Sequence, residues 1–328
     1  MHAPRPASPL LLLSRAALVS ALVVALATFV SPLLAQESAP ATPAGAPGKL
    51  RVVSLSPVLT DFAKEIGGDK VDVVGLVKPG VDPHTYDPTP ADAQQVSSTQ
   101  VVLISGKGLE GYLTKFRQAA GGKATWVDVG AALPSLEAPE HDHDHDDDHD
   151  HHHHHHGADP HWWHSVANAK LAVGVIREAF AAAAPADKEY FAGRAAEYLE
   201  KLDAMDKEIK VALADLPRDA RKLVTSHDAF QYFAKERGFT IIAISGISTR
   251  DQPSSKKIVK IINQIRADKV KAVFYESVEN PKVIAEITKE TGAKVGGSLV
   301  ADGLGEGAAS TYIGMMKANA TTIVQGLK

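Results

Sequence analysis

This 328-residue sequence predicts an α/β fold of two similar lobes, each a parallel sheet flanked by helices, joined by one long interlobe helix. Three observations carry that prediction. Short apolar, β-branched runs alternate with segments of helical period, the rhythm of a parallel sheet covered by helices. The rhythm occurs twice, and VVSLSPVLTDFAKEIG (residues 52–67) lines up with LVTSHDAFQYFAKERG (223–238), sharing Phe-Ala-Lys-Glu and the next Gly. Between the halves runs one uninterrupted helical period.

At the start of the chain, Arg5 and Arg15 precede an apolar run over residues 16–30, followed by a small residue at Ala35. That order predicts a secretory signal peptide over 1–35. The alternative, an uncleaved anchor, would want roughly 20 apolar residues, and this run is shorter. Residues 36–48 are rich in Pro, Ala and Gly and predict a disordered spacer. The N-terminal lobe is predicted over 49–165, with strands at 50–55, 71–77, 101–105 and 125–129 and helices at 58–66, 91–97 and 109–119. Residues 166–217 form a helical segment containing the long helix, 187–216. In it Phe191, Ala195, Tyr198, Leu202, Met205, Ile209 and Leu213 recur at spacings of three and four, with charges on the other face. Pro185 precedes it and Pro217 stops it. At 1.5 Å per residue it would run roughly 40 Å, enough to span both lobes and limit their swing. The C-terminal lobe, 218–328, carries strands at 222–226, 240–245, 270–277 and 293–299, and helices at 230–237, 254–266, 281–291 and 308–327.

Composition narrows the function. A formal net charge of −4, with no basic patch and no aromatic–basic interleaving, excludes a nucleic-acid partner. There is no cysteine. An exported chain without disulfides must be held by its core, and any metal must be held by nitrogen and oxygen. Twelve of the fifteen histidines fall in residues 141–164. The tract His141, His143, His145, His149 and His151, His152, His153, His154, His155, His156 is interleaved with aspartates inside a loop predicted over 140–158. Such a segment is too polar and uniform to specify one packed geometry, and reads as an auxiliary, weak metal collector. A purification tag is the alternative for the six-histidine run, but its mid-chain position and the preceding His/Asp alternation argue against it.

In open α/β sheets ligands bind beyond the carboxyl ends of the strands. His84 follows the second predicted strand, His227 follows the first strand of the second lobe, and Asp302 follows the last strand in a glycine-rich loop. His161 ends the histidine tract just before the helical segment, within an Asp-Pro-His that repeats Asp82-Pro83-His84. Three imidazoles and a carboxylate make a four-coordinate nitrogen/oxygen site that suits zinc. Two ligands from each lobe would close the shell, whereas a catalytic zinc keeps a position open for water, and His-Glu-x-x-His is absent. Each residue also has an ordinary alternative. His84 and His227 could be loop residues, and Asp302 could cap the last helix. His164 is assigned to the surface or to a supporting place behind the ligands. Glu276 either orients a ligand imidazole or is a plain strand-end acid.

Taken together, PHTYDPTPAD, GLEGYLTKF, DPHWW after a His/Asp-rich loop, TSHDAFQYF, ISTRDQPS, YESVENPK and ADGLGEG give the chain a family likeness. Over residues 49–328 it resembles the metal-specific substrate-binding proteins of zinc/manganese ABC importers (cluster A-I, zinc-type branch). The resemblance implies two lobes on one long helix with limited hinge motion, and metal held at His84, His161, His227 and Asp302. It also implies a soluble, monomeric periplasmic protein that captures Zn2+ and delivers it to a membrane permease, without catalysis, and that a periplasmic zinc chaperone could load. Manganese-type members tend to place a carboxylate where His227 stands, so the third imidazole points to zinc rather than manganese or iron(II). An exported zinc metallohydrolase and a surface adhesin are the remaining alternatives. One departure stands out: some relatives carry a disulfide in the second lobe, and this chain has no cysteine.

Overall fold

The strand Leu50–Ser54 (β1) is almost wholly buried, which a strand tolerates only inside a sheet covered on both faces. The computed structural model describes residues 48–137, 157–276 and 281–328, and in it β1 is central. It is flanked by Val71–Gly75 (β2) on one side and by Val101–Ile104 (β3), then Thr125–Asp128 (β4), on the other, all parallel. The second sheet repeats that order. Lys222–Thr225 (β5) lies between Thr240–Ala243 (β6) and Ala272–Glu276 (β7), with Lys294–Leu299 (β8) at the edge. The orders β2-β1-β3-β4 and β6-β5-β7-β8 are the same arrangement twice, as the repeated Phe-Ala-Lys-Glu segment predicts.

Helices α1 (Pro57–Gly67), α2 (Pro90–Ser97) and α3 (Leu113–Ala120) belong to the first sheet. Helices α4 (Val166–Ala183) and α5 (Lys188–Ala214) follow, and α6 (Gln231–Arg237), α7 (Ser255–Asp268), α8 (Pro281–Thr291) and α9 (Tyr312–Leu327) accompany the second sheet. The buried residues of α5 are the seven that its period picks out, Phe191 through Leu213. They pack on α1 from the first lobe, on α4, and on α9 from the second. One hydrophobic core therefore runs through the molecule, from Val52, Leu59 and Phe62 past Phe180, Tyr198 and Leu202 to Leu223, Phe233 and Ile323. Exposing any one of these large side chains costs about 1.5–3 kcal/mol, so a wide swing of the lobes is opposed by the core they share.

Two helices begin later than their periodicity suggests. α3 starts at Leu113 because Glu110 folds back, its carboxylate accepting the N–H groups of Ser105 (2.6 Å) and Gly106 (3.1 Å). α9 starts at Tyr312, where the Thr311 hydroxyl accepts from Gly314 N (3.1 Å) and the Asp61 carboxylate, from the other lobe, accepts from Tyr312 N (2.9 Å). Asp302 is therefore not the cap of this helix. The expected signal peptide, nearly all of the spacer and the tract histidines 141–156 lie outside the described residues. The chain on either side of the tract is paired, Glu137 with Ala158, and Asp159 N donates to Leu136 O (2.8 Å). These pairs bring residues 136–137 and 158–159 together just before His161.

Candidate metal centre

Four chain segments end at one point between the two sheets. The loop after β2 brings His84, and the turn after Asp159-Pro160 brings His161. The end of β5 brings His227, whose carbonyl accepts the Thr225 hydroxyl (2.8 Å), and the loop after β8 brings Asp302. That loop approaches the first lobe closely: a Cβ on Gly303 would stand 3.2 Å from the Pro57 ring. One ligand-type atom from each of the four residues lies within 4.8 Å of the other three. His84 Nε2 is 3.2 Å from His161 Nε2 and 3.5 Å from Asp302 Oδ1. Asp302 Oδ1 is 3.3 Å from His161 Nε2, and Oδ2 is 3.3 Å from His227 Nε2. All four residues that the sequence nominates converge.

The set is buried, and its charges are strongly coupled. His161 and His227 are fully enclosed, and His84 is 9% exposed. Neither Asp302 oxygen nor His227 Nε2 makes a hydrogen bond, an arrangement that buried polar atoms avoid unless another partner is due. Burial raises the Asp302 pKa, but the three imidazoles outweigh it and hold the carboxyl well below its usual range. Burial likewise opposes charge on His161, yet the carboxylates of Asp159 and Asp302 raise its pKa to about 9. His227 is raised well above its ordinary value against the same burial, by Asp302 and Glu276. The centre is built to hold positive charge.

Supporting groups fix the rings from behind. His161 Nδ1 donates to Asp159 Oδ1 at 2.8 Å, and Glu276 takes the Nδ1 of His227. Each carboxylate selects the tautomer that turns the Nε2 lone pair inward. Glu276, at the end of β7, is buried and stands against the His227 ring. Asp159 is a supporting residue that the spacing of the histidines does not pick out. The signal that could find it is the repeated Asp-Pro-His. The two indoles of DPHWW also hold the site. Trp162 Nε1 donates to Ser105 O (3.0 Å) and Trp163 Nε1 to Ala301 O (2.8 Å). His164 is not a surface residue. It is 1% exposed, and its Nε2 lies 2.9 Å from Ala301 O. Burial, reinforced by the neighbouring His161, lowers its pKa to about 3, so the ring is neutral. The tract histidines lie outside the described residues.

Residues 52–326 match the sequence model of a family described as ZnuA, zinc-uptake complex component A, periplasmic. The chain belongs to this family. It is therefore a metal-binding component of an ABC importer, a substrate-binding protein rather than an enzyme, of a family that works with ABC-transporter permease components. The chain is 33% identical over 288 residues to the manganese-binding lipoprotein MntA of Bacillus subtilis (strain 168), covering 85% of this chain and 90% of that protein. It is 32% identical over 308 residues to the iron-binding protein YfeA of Yersinia pestis, covering 93% and 94%. Among solved structures, the periplasmic zinc binding protein TroA from Treponema pallidum superposes with a TM-score of 0.76 at 28% identity, over 85% of this chain and 99% of that one. Members of the family that resemble this chain are thus named for different metals.

Proposed function

We propose that this protein captures Zn2+ outside the cytoplasm through His84, His161, His227 and Asp302, and hands it to the membrane permease of an ABC importer. The spacing of the donors supports the metal. A tetrahedral zinc with bonds of about 2.0–2.1 Å has ligand–ligand edges of roughly 3.3–3.4 Å. Four donor contacts here are close to that length: 3.2 Å between His84 Nε2 and His161 Nε2, 3.5 and 3.3 Å from those two atoms to Asp302 Oδ1, and 3.3 Å from His227 Nε2 to Asp302 Oδ2. Three imidazoles also favour zinc over manganese, which prefers oxygen donors. The basic start and apolar run of residues 1–35 support export, and the composition of the His/Asp-rich tract supports an auxiliary, weaker collecting role.

Manganese or iron(II) is the second reading, favoured by the names of the relatives at 33% and 32% identity. Metal analysis of the protein purified without an affinity tag separates the two, with and without residues 140–156. The expected result is one tightly held zinc in both forms, with weaker ions only in the intact chain. Manganese or iron as the tight ion would reverse the assignment, and loss of the tight ion on deletion would move primary ligands into the tract.

A further inference from the structure

Trp163 and His164 contribute no donor to the four-residue shell, yet both aim at one atom beside it. Trp163 Nε1 is 2.8 Å and His164 Nε2 is 2.9 Å from the carbonyl oxygen of Ala301, the residue before Asp302. A carbonyl has two lone pairs and can accept both bonds. The donors sit on the turn that carries His161, whereas the acceptor belongs to the loop after β8. The turn is itself anchored, since the Trp163 carbonyl accepts the hydroxyl of Tyr312 at 2.8 Å.

The identity of residue 164 is the telling point. The ring is packed against Phe230, with centroids 4.4 Å apart and planes 33° apart, in a fully enclosed slot. Because Nε2 faces a carbonyl it carries the proton, and Nδ1 is left buried without a hydrogen bond. An apolar side chain would fill this slot and leave no nitrogen unsatisfied. What it would lack is the donor to Ala301. Packing does not account for a histidine here, and the bond does.

We propose that Trp163 and His164 are positioning residues for Asp302. By pinning the Ala301 carbonyl they fix the direction from which the carboxylate enters the shell, and so set the preference among divalent cations. This rests on Asp302 being a ligand. A carboxylate whose backbone is released can reorient both oxygens toward a larger, oxygen-preferring ion, whereas a tetrahedral zinc needs a fixed approach.

The test uses the full chain and three variants. Trp163→Phe removes the indole N–H and keeps most of the ring, His164→Leu removes the imidazole donor, and His164→Gln offers an amide donor in its place. Zinc and manganese affinities are measured by chelator competition, alongside the thermal midpoint of the metal-free protein. Trp163→Phe and His164→Leu should each weaken zinc roughly tenfold, the lower end for partners of metal ligands, and lower the zinc-to-manganese ratio. His164→Gln should recover most of both. Unchanged affinities, or a zinc loss with an unchanged ratio that tracks the fall in thermal midpoint, would leave these residues a packing role and overturn the proposal. If His164→Leu does not fold, Trp163→Phe decides by the same two readouts. Asp302→Ala is run in parallel: wild-type zinc affinity there would overturn the ligand assignment itself, while a weakened Asp302→Ala beside silent clamp variants would overturn the clamp alone.

Discussion

Asp82-Pro83-His84 and Asp159-Pro160-His161 are the same tripeptide in opposite surroundings. Each folds alike at first, the aspartate Oδ1 accepting the backbone N–H of the histidine two residues on, at 2.8 Å in the first corner and 2.9 Å in the second. This is the turn that an aspartate in this position makes with its own chain. Beyond it the corners part. Asp159 is completely buried, and the same Oδ1 also takes His161 Nδ1, while Tyr232 of the other lobe donates to its carbonyl (3.0 Å). Asp82 uses its second oxygen for two hydroxyls, Thr85 (3.0 Å) and, across the cleft, Thr249 (2.6 Å). One corner locks its imidazole from behind. The other ties its loop to the opposite lobe, and no carboxylate among the described residues meets the Nδ1 of its imidazole. Local sequence sets the turn, and burial decides what the rest of the carboxylate does.

Removing the rings puts that difference under the greatest strain. His161→Ala should weaken tight zinc by more than about a hundredfold, above the range usual for partners behind the ligands. His84→Ala, at the less supported corner, should cost less, although still more than any supporting residue. Chelator competition on both variants reads this directly, and the reverse order would break the comparison.

Changing the carboxylates comes next. Asp159→Asn leaves an acceptor but removes the charge behind His161, and should weaken zinc about 10–100-fold. Asp82→Asn, which touches no ligand ring, should change affinity only a few-fold. Isothermal titration of the two against the wild type would sharpen the contrast, and equal losses would erase it. Glu276→Gln should behave as Asp159→Asn does, since it too holds a ring nitrogen.

The smallest effect on the metal belongs to Glu110, one step further back, where it staples the turn whose Ser105 carbonyl receives Trp162. Burial pushes its carboxyl up to about 7, against the pull of the two backbone N–H groups. The folded protein therefore holds this proton more tightly than the unfolded chain. The resulting stability is present in full below about pH 4.5 and is lost as pH rises through about 7. The stability difference between wild type and Glu110→Gln, from urea unfolding of metal-free protein, should shift across that window by on the order of 3 kcal/mol and level off above it. A difference that stays constant from pH 4.5 to 8 would mean that Glu110 is ionised throughout.

Much of this molecule could be read along the chain because the relevant physics is local or periodic. Every buried position of α5 is one that its helical period selects. His227 and Asp302 stand just past strand ends and His84 in the loop after β2, where a parallel sheet gathers its loops, and the four nominated residues meet there. The start of α3 departs from its helical period because Glu110 satisfies backbone groups a few residues behind it, a competition that periodicity does not register. Other features depended on partners far away in sequence. Glu276 and His227 are 49 residues apart, His164 and Ala301 137, Asp82 and Thr249 167. The residue types at these places advertise that they can bond, not with whom. A side chain's second partner is chosen by which groups burial brings within about 3 Å once the water is gone. That choice exists only when the two sheets, α5 and their shared core are in place.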